Sequence, residues 1–277
     1  MRLQFTKMHG LGNDFVIINN LDLQHQFSAT EISFIADRKF GVGCDQVLVV
    51  DKATDNESDF FYRIYNSDGS LAGQCGNGAR CFIRYVIDAQ LTTKKHIQLQ
   101  TRDRIISGEM LDSDLIKVNM GIPEFAPVKI PLCAEQANYY QVEIDGKNVE
   151  FVALSMGNPH AIIQLDQVEL LADDDYLEQI AQFLQTSALF PESVNVSFIY
   201  KVDDSLLKMR TYERGCGFTL ACGSGACASA AAAIRSGLTK AEVKLIMPGG
   251  ILQIIWDGGD LYMVGSATLV FAGEIEL

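Results

Sequence analysis

The feature that most constrains this chain is a motif that occurs twice, once in each half of the sequence. The stretch Gly73–Arg80 contains Cys75 followed by Gly-Asn-Gly-Ala, and Leu220–Cys227 contains Cys222 followed by Gly-Ser-Gly-Ala. Each copy precedes a run with helical spacing of apolar or small residues. One such motif carries little information, but two copies at equivalent places predict a pair of thiols that act on one substrate.

The two halves are also in register outside this motif. Tyr65 and Tyr212 each lie ten residues before their cysteine, so both pairs are offset by 147 residues. Asn13 and Asn158 are offset by 145 residues, and each precedes an apolar strand. Several anchors at a nearly constant offset indicate an internal duplication. The sequence therefore predicts two similar α/β halves that face each other across a pseudo-two-fold axis.

The length of 277 residues, with 48% hydrophobic and 21% charged residues, favours a globular protein of two domains with a sizeable core. We expect an N-terminal half over residues 1–119, completed by the last strand at about residues 268–277. The C-terminal half is expected over residues 120–267. Three prolines within residues 121–132 mark the segment where the boundary is predicted.

Charge and cysteine usage limit the partners and the compartment. A formal charge of −13 argues against binding to nucleic acid or to an anionic membrane, because both need clustered Lys and Arg. The N-terminal segment has no signal-peptide core, and no apolar run reaches the roughly 18–20 residues of a membrane-spanning helix. Seven cysteines, an odd number, indicate a reduced chain. We therefore expect a cytoplasmic protein with a small-molecule substrate and with no nucleic-acid or membrane partner.

The paired motifs predict proton-transfer chemistry. Glycines after the cysteine allow the backbone to enter a helix tightly, and the free amides at the helix start stabilise a thiolate and bind a carboxylate. Two such sites on opposite sides of one carbon have the geometry that inverts a stereocentre. One face loses a proton to the thiolate of Cys75 or Cys222, and the opposite face receives a proton from the other thiol.

The other cysteines fit a simpler interpretation, because a cysteine in a reduced protein is usually a small buried hydrophobe. This interpretation is applied to Cys44, Cys81, Cys133, Cys216 and Cys227. The chain has no Cys-x-x-Cys pair, and its four histidines are not at ligand spacing. No metal site is therefore expected.

Two further residues make the halves chemically unequal. His160 ends a rigid Gly-Asn-Pro-His turn before a strand, where it is a candidate base for a facing thiol. Glu213 lies nine residues before Cys222, whereas Asn66 holds the corresponding place before Cys75. An exposed surface carboxylate is the alternative interpretation of Glu213 alone. The difference between the halves indicates that His160 and Glu213 each tune a different cysteine.

Taken together, the motifs resemble those of the diaminopimelate epimerase family. They follow the family order along essentially the whole chain: Met8–Phe15, Gly43–Gln46, Tyr65–Gly69, Gln74–Arg80, Gly157–His160, Val194–Val196, Tyr212–Gly215 and Ala221–Gly225. The resemblance implies a cofactor-independent epimerase, without pyridoxal phosphate, that interconverts LL- and meso-2,6-diaminopimelate in lysine and peptidoglycan-precursor biosynthesis. It implies an α/β (mixed α+β) fold of two domains, each a curved mixed or antiparallel sheet around a central helix. It also implies an active site between the domains, and a homodimer.

The resemblance further implies a role for each site residue. Cys75 and Cys222 are the base and acid pair, with His160 assisting Cys75 and Glu213 assisting Cys222. The side chains expected to hold the distal end of the substrate are Asn13, Gln46, Asn66, Asn158, Asn195 and Arg214. The backbone amides expected to hold the reacting carboxylate are those of Gly76, Asn77, Gly223 and Ser224.

The chain departs from the family pattern at one place close to Cys222. Where many relatives read Ala-Gly-Glu-Thr, this chain reads Cys216-Gly-Phe-Thr219, so Phe218 replaces a carboxylate. The catalytic assignment falls on Glu213, and the mechanism is expected to change little. The packing around Phe218 stays open.

Two other functions remain compatible with the paired thiols. A racemase of the proline or hydroxyproline type would need a tighter and more apolar pocket, whereas Arg214 and the asparagine set suit a second zwitterionic group. A thiol redox sensor would use Cys75 and Cys222 as a switchable disulfide. We expect such oxidation to be a liability of the site rather than its purpose.

Overall fold

The structure is a computed structural model that describes residues 1–73, 75–113 and 115–277. Gln74, which belongs to the first cysteine motif, lies outside the described residues. The chain divides into two compact units, unit 1 with Met1–Asn119 and Val264–Leu277, and unit 2 with Met120–Met263. Both units contain strands and helices, so the predicted mixed α+β fold class is confirmed.

The described residues of unit 1 form two helices, eight strands from the first part of the chain and the last strand. Its strands are β1 (Arg2–Gly10), β2 (Asn13–Asn19), β3 (Gln46–Asp51), β4 (Phe60–Asn66), β5 (Leu71–Ala72), β6 (His96–Gln100), β7 (Ile105–Met110), β8 (Ile116–Gly121) and β18 (Thr268–Glu276). Its helices are α1 (Ala29–Ala36) and α2 (Gly76–Asp88). Strand β8 runs across the boundary into unit 2.

Apart from its first strand and two short 3-10 helices, unit 2 has the same kinds of elements in the same order. Its strands are β9 (Tyr140–Ile144), β10 (Lys147–Ser155), β11 (Pro159–Gln164), β12 (Asn195–Asp203), β13 (Leu206–Glu213), β14 (Gly217–Thr219), β15 (Glu242–Met247), β16 (Gly250–Ile255) and β17 (Leu261–Gly265). Its helices are α3 (Asp174–Thr186) and α4 (Gly223–Arg235), with short 3-10 helices at Pro127–Lys129 and Val168–Ala172. Strand β17 ends in unit 1.

Strand pairing is repeated in the two units. In unit 1, β2 is parallel to β3, β3 is antiparallel to β4, and β4 pairs with β5 (antiparallel) and with β6 (parallel). In unit 2, β11, β12, β13, β14 and β15 pair in the same sequence of directions. The internal duplication predicted from the offsets is therefore confirmed. The facing arrangement of the two halves stays a prediction.

Each unit also has one additional strand beside its first hairpin. In unit 1, β18 pairs antiparallel with β1, from Arg2 opposite Glu276 to His9 opposite Thr268. In unit 2, β9 pairs antiparallel with β10. The end of the chain therefore belongs to the same sheet as its beginning.

A buried helix follows the cysteine motif in each unit. Eight of the thirteen residues of α2 are buried, and ten of the thirteen residues of α4. The small Gly, Ala and Ser side chains of α4 allow strands to approach it closely, and it packs against β10, β11, β12, β15 and β16. The predicted central helix of each half is confirmed.

The sequence Ser28-Ala-Thr-Glu31 predicts a capping box that opens a short helix with its end near Arg38, and the helix α1 begins as predicted. Its N-cap Ser28 accepts a hydrogen bond from the amide of Glu31 over 3.2 Å, and Glu31 accepts one from the amide of Ser28 over 2.7 Å. This reciprocal capping box satisfies two amides that have no partner inside the helix. The helix ends at Ala36, slightly before the predicted end near Arg38.

The interpretation of the remaining cysteines as buried hydrophobes holds for three of five. Cys44, Cys81 and Cys227 are buried. It is wrong for Cys133 and Cys216, which are exposed because the first lies in the irregular segment before β9 and the second in the turn between β13 and β14. Among the described helices, none has the length and apolar character that crossing a membrane requires.

Candidate active site

Cys75 is the residue at which α2 begins. It is the N-cap of this helix in an extended conformation, and its sulfur accepts a hydrogen bond from the amide of Gly78 over 3.3 Å. Tyr62 lies beneath the turn and donates its hydroxyl to the Cys75 carbonyl over 3.1 Å. The half-buried sulfur therefore lies at the positive end of the helix dipole, where a thiolate is stabilised.

Asn13 lies beside Cys75 at the start of β2. Its Oδ1 is 3.8 Å from the Cys75 sulfur and accepts a hydrogen bond from Asn77 Nδ2 over 3.3 Å. Its Nδ2 donates to Asp45 over 2.9 Å, and Asp45 is held in turn by Arg38 over 2.7 Å. Because Asp45 can only accept, this contact fixes which end of the Asn13 amide faces the thiol.

Gln46 and Asn66 lie opposite each other on neighbouring strands of unit 1. They are paired in the antiparallel register of β3 and β4, and Gln46 Nε2 donates to Asn66 Oδ1 over 3.0 Å. Asn66 Nδ2 donates to Ser70 in the following turn over 3.0 Å. The structure thus brings together two predicted substrate-binding amides at the end of one strand pair.

Cys222 begins α4 in the way that Cys75 begins α2, but its surroundings differ. It is the N-cap of α4, is only 5% exposed, and lies 3.7 Å from the hydroxyl of Ser224. Burial raises the pKa of this thiol well above its usual value, and the neighbouring Glu213 raises it further. Ser224 and the amide of Gly225 act in the opposite direction. Cys222 is therefore a protonated thiol at neutral pH, next to a carboxylate.

Glu213 is the last residue of β13, which precedes the Cys222 motif in the chain. Its Oε1 accepts a hydrogen bond from the Thr219 hydroxyl over 2.6 Å. The carboxylate interacts with the Cys222 thiol both electrostatically and through a side-chain hydrogen bond. The structure brings together the two residues that the sequence assigned to one half-site, and Thr219 binds the carboxylate of one of them, Glu213.

His160 is completely buried at the start of β11. Its Nε2 lies 3.0 Å from Asn158 Oδ1, and Asn158 Nδ2 donates to Ser224 over 3.4 Å. This orientation of the Asn158 amide places the imidazole proton on Nε2 and leaves Nδ1 as an acceptor. Nδ1 has no hydrogen-bond partner among the described residues. Burial, assisted by the charge of Arg214, lowers the pKa of His160 to about 3, so the ring is neutral.

Asn195 and Arg214 lie in the same part of unit 2. Asn195 is paired with His160 in the parallel register of β11 and β12, and its Nδ2 donates to the carbonyl of Pro159 over 3.1 Å. Its Oδ1 accepts from the amide of Arg214 over 3.0 Å. The Arg214 guanidinium is exposed and donates to the carbonyl of Glu192 over 2.6 Å. The Asn195 side chain therefore connects the backbone of β11, next to His160, to the backbone of Arg214.

The repeated strand register shows which residues occupy equivalent positions. Phe15 pairs with Gln46 in unit 1, and His160 pairs with Asn195 in unit 2. His160 therefore takes the place of an apolar side chain, just as Glu213 takes the place of Asn66. Both predicted assisting groups belong to unit 2, and neither has an ionisable equivalent in unit 1.

Sequence reasoning missed two side chains that hold site residues. Asp45 orients Asn13, and Thr219 binds Glu213. Each lies within or next to a motif that the sequence already singled out, which was the available signal. In the part of the chain that the structure describes, no group of His, Cys, Asp and Glu is arranged to hold a metal ion.

Comparison with known proteins gives one consistent family. A model of the diaminopimelate epimerase family matches residues 5–126 and 152–270. The diaminopimelate epimerase of Nitrosospira multiformis is 44% identical over 283 residues, which cover 100% of this chain and 99% of that protein. The diaminopimelate epimerase of Ectopseudomonas mendocina is 44% identical over 280 residues and is covered completely, as is this chain.

Solved structures of similar fold are more distant in sequence. A phenazine biosynthesis protein of the PhzF family from Bacillus anthracis has a TM-score of 0.70 at 14% identity, with both chains covered completely. A hydroxyproline epimerase from Agrobacterium vitis has a TM-score of 0.70 at 13% identity, over 99% of this chain and 92% of that one. At these identities the likeness shows the fold alone.

Proposed function

The chain belongs to the diaminopimelate epimerase family, and we propose that it interconverts LL- and meso-2,6-diaminopimelate by a two-base mechanism that uses Cys75 and Cys222. The family match and the full-length relatives support the reaction. The observation that carries the mechanism is the placement of both cysteines as N-caps of equivalent buried helices. We infer that the two predicted domains, residues 1–119 with the last strand and residues 120–267, contribute one thiol each.

The reaction needs no change in oxidation state. The thiolate of one cysteine takes the proton from the α-carbon, and the electron pair of the broken C–H bond remains on the substrate as a carbanion conjugated with the carboxylate. The thiol of the other cysteine then gives its proton to the opposite face. The substrate is inverted, and the enzyme is left with the protonation states of its two cysteines exchanged.

The helix starts are suited to the charge that develops on the reacting carboxylate. The amides of Gly76 and Asn77 lie in the first turn of α2, and those of Gly223 and Ser224 in the first turn of α4. Amides at a helix start have no partner within the helix and carry partial positive charge. We propose that they bind the reacting carboxylate and stabilise the carbanion.

The two cysteines have different supports. Glu213 interacts with the Cys222 thiol and is proposed to receive or return its proton. His160 is neutral, its Nδ1 has no hydrogen-bond partner in the part of the chain that the structure describes, and it is proposed to assist Cys75. The proposed residues for the distal amino-carboxylate group of the substrate are Asn13, Gln46, Asn66, Asn158, Asn195 and Arg214. Arg214 suits this role because a guanidinium binds a carboxylate through two parallel hydrogen bonds.

The decisive experiment is exchange of the α-hydrogen with solvent. LL-diaminopimelate is incubated with the protein in deuterated water without pyridoxal phosphate, and deuterium incorporation and meso product are followed by mass spectrometry and chiral chromatography. Deuterium incorporation together with meso product is expected. Absence of exchange contradicts the proposal, and turnover of proline or hydroxyproline alone would assign the chain to the other type of two-thiol racemase.

We also propose that the protein is a cytoplasmic homodimer. Consecutive side chains of a strand point to opposite faces of the sheet. Leu269, Val270 and Phe271 of β18 are nevertheless all exposed, at 51%, 52% and 45%. An apolar strand exposed on both faces suits contact with a second copy. A Phe271→Glu variant is expected to be monomeric in light scattering, and an unchanged dimer would place the interface elsewhere. The reducing cytoplasm would keep both cysteines as thiols.

A further inference from the structure

Strands β13 and β14 form a hairpin with a turn at residues 214–216, and the two faces of this hairpin differ. Its register pairs Thr211 with Thr219 and Tyr212 with Phe218. Because side chains alternate along a strand, Tyr212 and Phe218 share one face, whereas Glu213 and Thr219 share the other. Glu213 and Thr219 are therefore diagonal neighbours.

The first face anchors the hairpin to the core of unit 2. Phe218 packs edge to face on Tyr212, with ring centroids 5.0 Å apart, and the Arg210 guanidinium lies 4.3 Å from the Phe218 ring centroid. The Tyr212 hydroxyl donates to Glu178 on α3 over 2.8 Å. Phe218, which departs from the family pattern, thus faces α3 and lies on the side opposite Glu213.

The second face is directed toward the start of α4. Thr211 Oγ1 lies 3.1 Å from the position that a Cβ on Gly225 would occupy, and the same position is 3.2 Å from the Cys222 sulfur. On this face Thr219 donates its hydroxyl to Glu213 Oε1 over 2.6 Å. A rigid hairpin therefore carries the carboxylate and its hydrogen-bond donor together to the buried thiol.

The other half of the duplication lacks both groups. The pairing of β4 with β5 puts Ala72 opposite Ile64, as β13 with β14 puts Thr219 opposite Thr211. Ala72 is thus the equivalent of Thr219, and Asn66 is the equivalent of Glu213. The hydroxyl is present in the half that has a carboxylate and absent in the half that has an amide.

We propose that Thr219 is a positioning residue that holds the Glu213 carboxylate in the orientation in which it exchanges a proton with Cys222. This inference rests on the proposed function, in which Glu213 assists Cys222. A glutamate side chain has several rotatable bonds, and a short hydrogen bond at Oε1 removes much of their freedom. The remaining acceptor positions of the carboxylate are then directed at the thiol. Catalytic groups need support of this kind to stay within a fraction of an ångström of the productive geometry.

The test compares Thr219→Val, which keeps the shape and removes the hydroxyl, with Thr219→Ser, which keeps the hydroxyl. Thr219→Val is expected to lower kcat about tenfold with little change in KM, since a hydrogen bond to a charged group is lost. Thr219→Ser is expected to stay within about twofold of the parent, because the donor remains. Thermal unfolding of each variant checks the fold. If Thr219→Val does not fold, Thr219→Ala takes its place in the comparison.

A double-mutant cycle with Glu213→Gln separates positioning from general packing. If Thr219 acts through Glu213, Thr219→Val changes kcat by less than about twofold in the Glu213→Gln background, since the carboxylate it positions is gone. A full loss in both backgrounds, or wild-type kcat in Thr219→Val alone, would overturn the proposal. Wild-type kcat in Glu213→Gln alone would instead contradict the proposed role of Glu213.

The primary deuterium isotope effect gives a second measurement. In Thr219→Val it is expected to rise only in the reaction direction in which Cys222 removes the α-proton. Equal isotope effects in both directions would also overturn the proposal.

Discussion

The amide of Gly78 lies 3.3 Å from the sulfur of Cys75 and donates a hydrogen bond to it, three residues into α2. This contact stabilises a thiolate at Cys75. At Cys222 burial, together with Glu213, favours the thiol, and the amide of Gly225 acts in the opposite direction. The two cysteines of the duplication therefore have different surroundings at equivalent helix starts.

Gly78→Ala is expected to remove most of the activity and to destabilise the protein. The added Cβ would lie 2.2 Å from the hydroxyl oxygen of Tyr62, a fully buried side chain that cannot move without losing its bond to the Cys75 carbonyl. Overpacking of this kind typically costs about 1–3 kcal/mol in the free energy of unfolding. Urea unfolding and kcat are the measurements.

Gly259→Ala is the matched control for the added methyl group. Its Cβ would meet one atom at 3.7 Å, which is ordinary van der Waals contact. We expect it to retain wild-type activity and stability. If Gly78→Ala behaves in the same way, the helix start at Cys75 tolerates displacement and the capping contact is not required.

Replacing either of the two cysteines that we propose as base and acid is expected to abolish epimerisation. Cys75→Ser and Cys222→Ser each leave a hydroxyl whose pKa is too high for it to serve as the base, so one of the two proton transfers fails. A loss of at least about 1,000-fold in kcat is expected for each, in line with removal of a general acid or base. Cys133→Ser, at an exposed position, is the control. Full activity in either catalytic variant would refute the two-base mechanism.

Much of the fold was readable from the sequence because the duplication repeats chemical signals. The cysteine followed by glycines predicts a helix start, and the structure has helix starts at Gly76 and Gly223. The capping box at Ser28 is equally local, and it is confirmed. Local signals of this type depend on residues that are close in the chain. They therefore need no knowledge of tertiary contacts.

The contacts within the site depend on strand register, which the sequence does not determine to the residue. The offset of 145 residues relates Phe15 to His160, but that the two take the same place in the sheet follows from the pairing of each with the neighbouring parallel strand. The bond from Thr219 to Glu213 likewise depends on how β14 folds back on β13. The prediction that Cys133 and Cys216 are buried was wrong for a related reason. Burial depends on the surrounding elements and not on residue type alone.

Asp45→Asn is expected to weaken substrate binding more than it slows the chemical step. Asp45 accepts a hydrogen bond from Asn13 Nδ2 over 2.9 Å and one from the Asp14 amide over 3.1 Å, and it thereby orients the Asn13 amide. An asparagine at this position can present its own NH₂ group and allow the Asn13 amide to reverse. We expect KM to rise about five- to tenfold, the loss of roughly one hydrogen bond.

Asp22→Asn is the control for this change, because Asp22 is an exposed carboxylate whose loss alters the net charge by the same amount. Its kinetic constants are expected to match those of the wild type. A KM for Asp45→Asn that equals the wild-type value would show that Asn13 does not depend on Asp45 for its orientation, or that Asn13 does not bind substrate.

The buried His160 predicts how stability depends on pH. Its pKa is about 3 in the folded protein, because burial disfavours the charged ring and the charge of Arg214 adds to this, whereas an unfolded histidine has a pKa of 6.5. Between these values the unfolded state binds the additional proton, so the free energy of unfolding falls as pH falls from 6.5 toward 3. The stabilisation is fully present above pH 6.5. Each pH unit below that value lowers the free energy of unfolding by about 1.4 kcal/mol. The total change between pH 7 and pH 5 is about 2 kcal/mol.

Comparison with His160→Gln isolates this contribution from the other titrating groups. Urea unfolding of the wild type and the variant is measured at pH 7 and pH 5, and the difference between the two proteins is expected to change by about 2 kcal/mol. Ile163→Val, a core truncation on the same strand that typically costs about 1 kcal/mol, controls for lower stability without loss of a histidine. It is expected to keep the wild-type dependence on pH. If His160→Gln also keeps that dependence, folding does not lower the pKa of His160, and burial does not hold the imidazole neutral at pH 5.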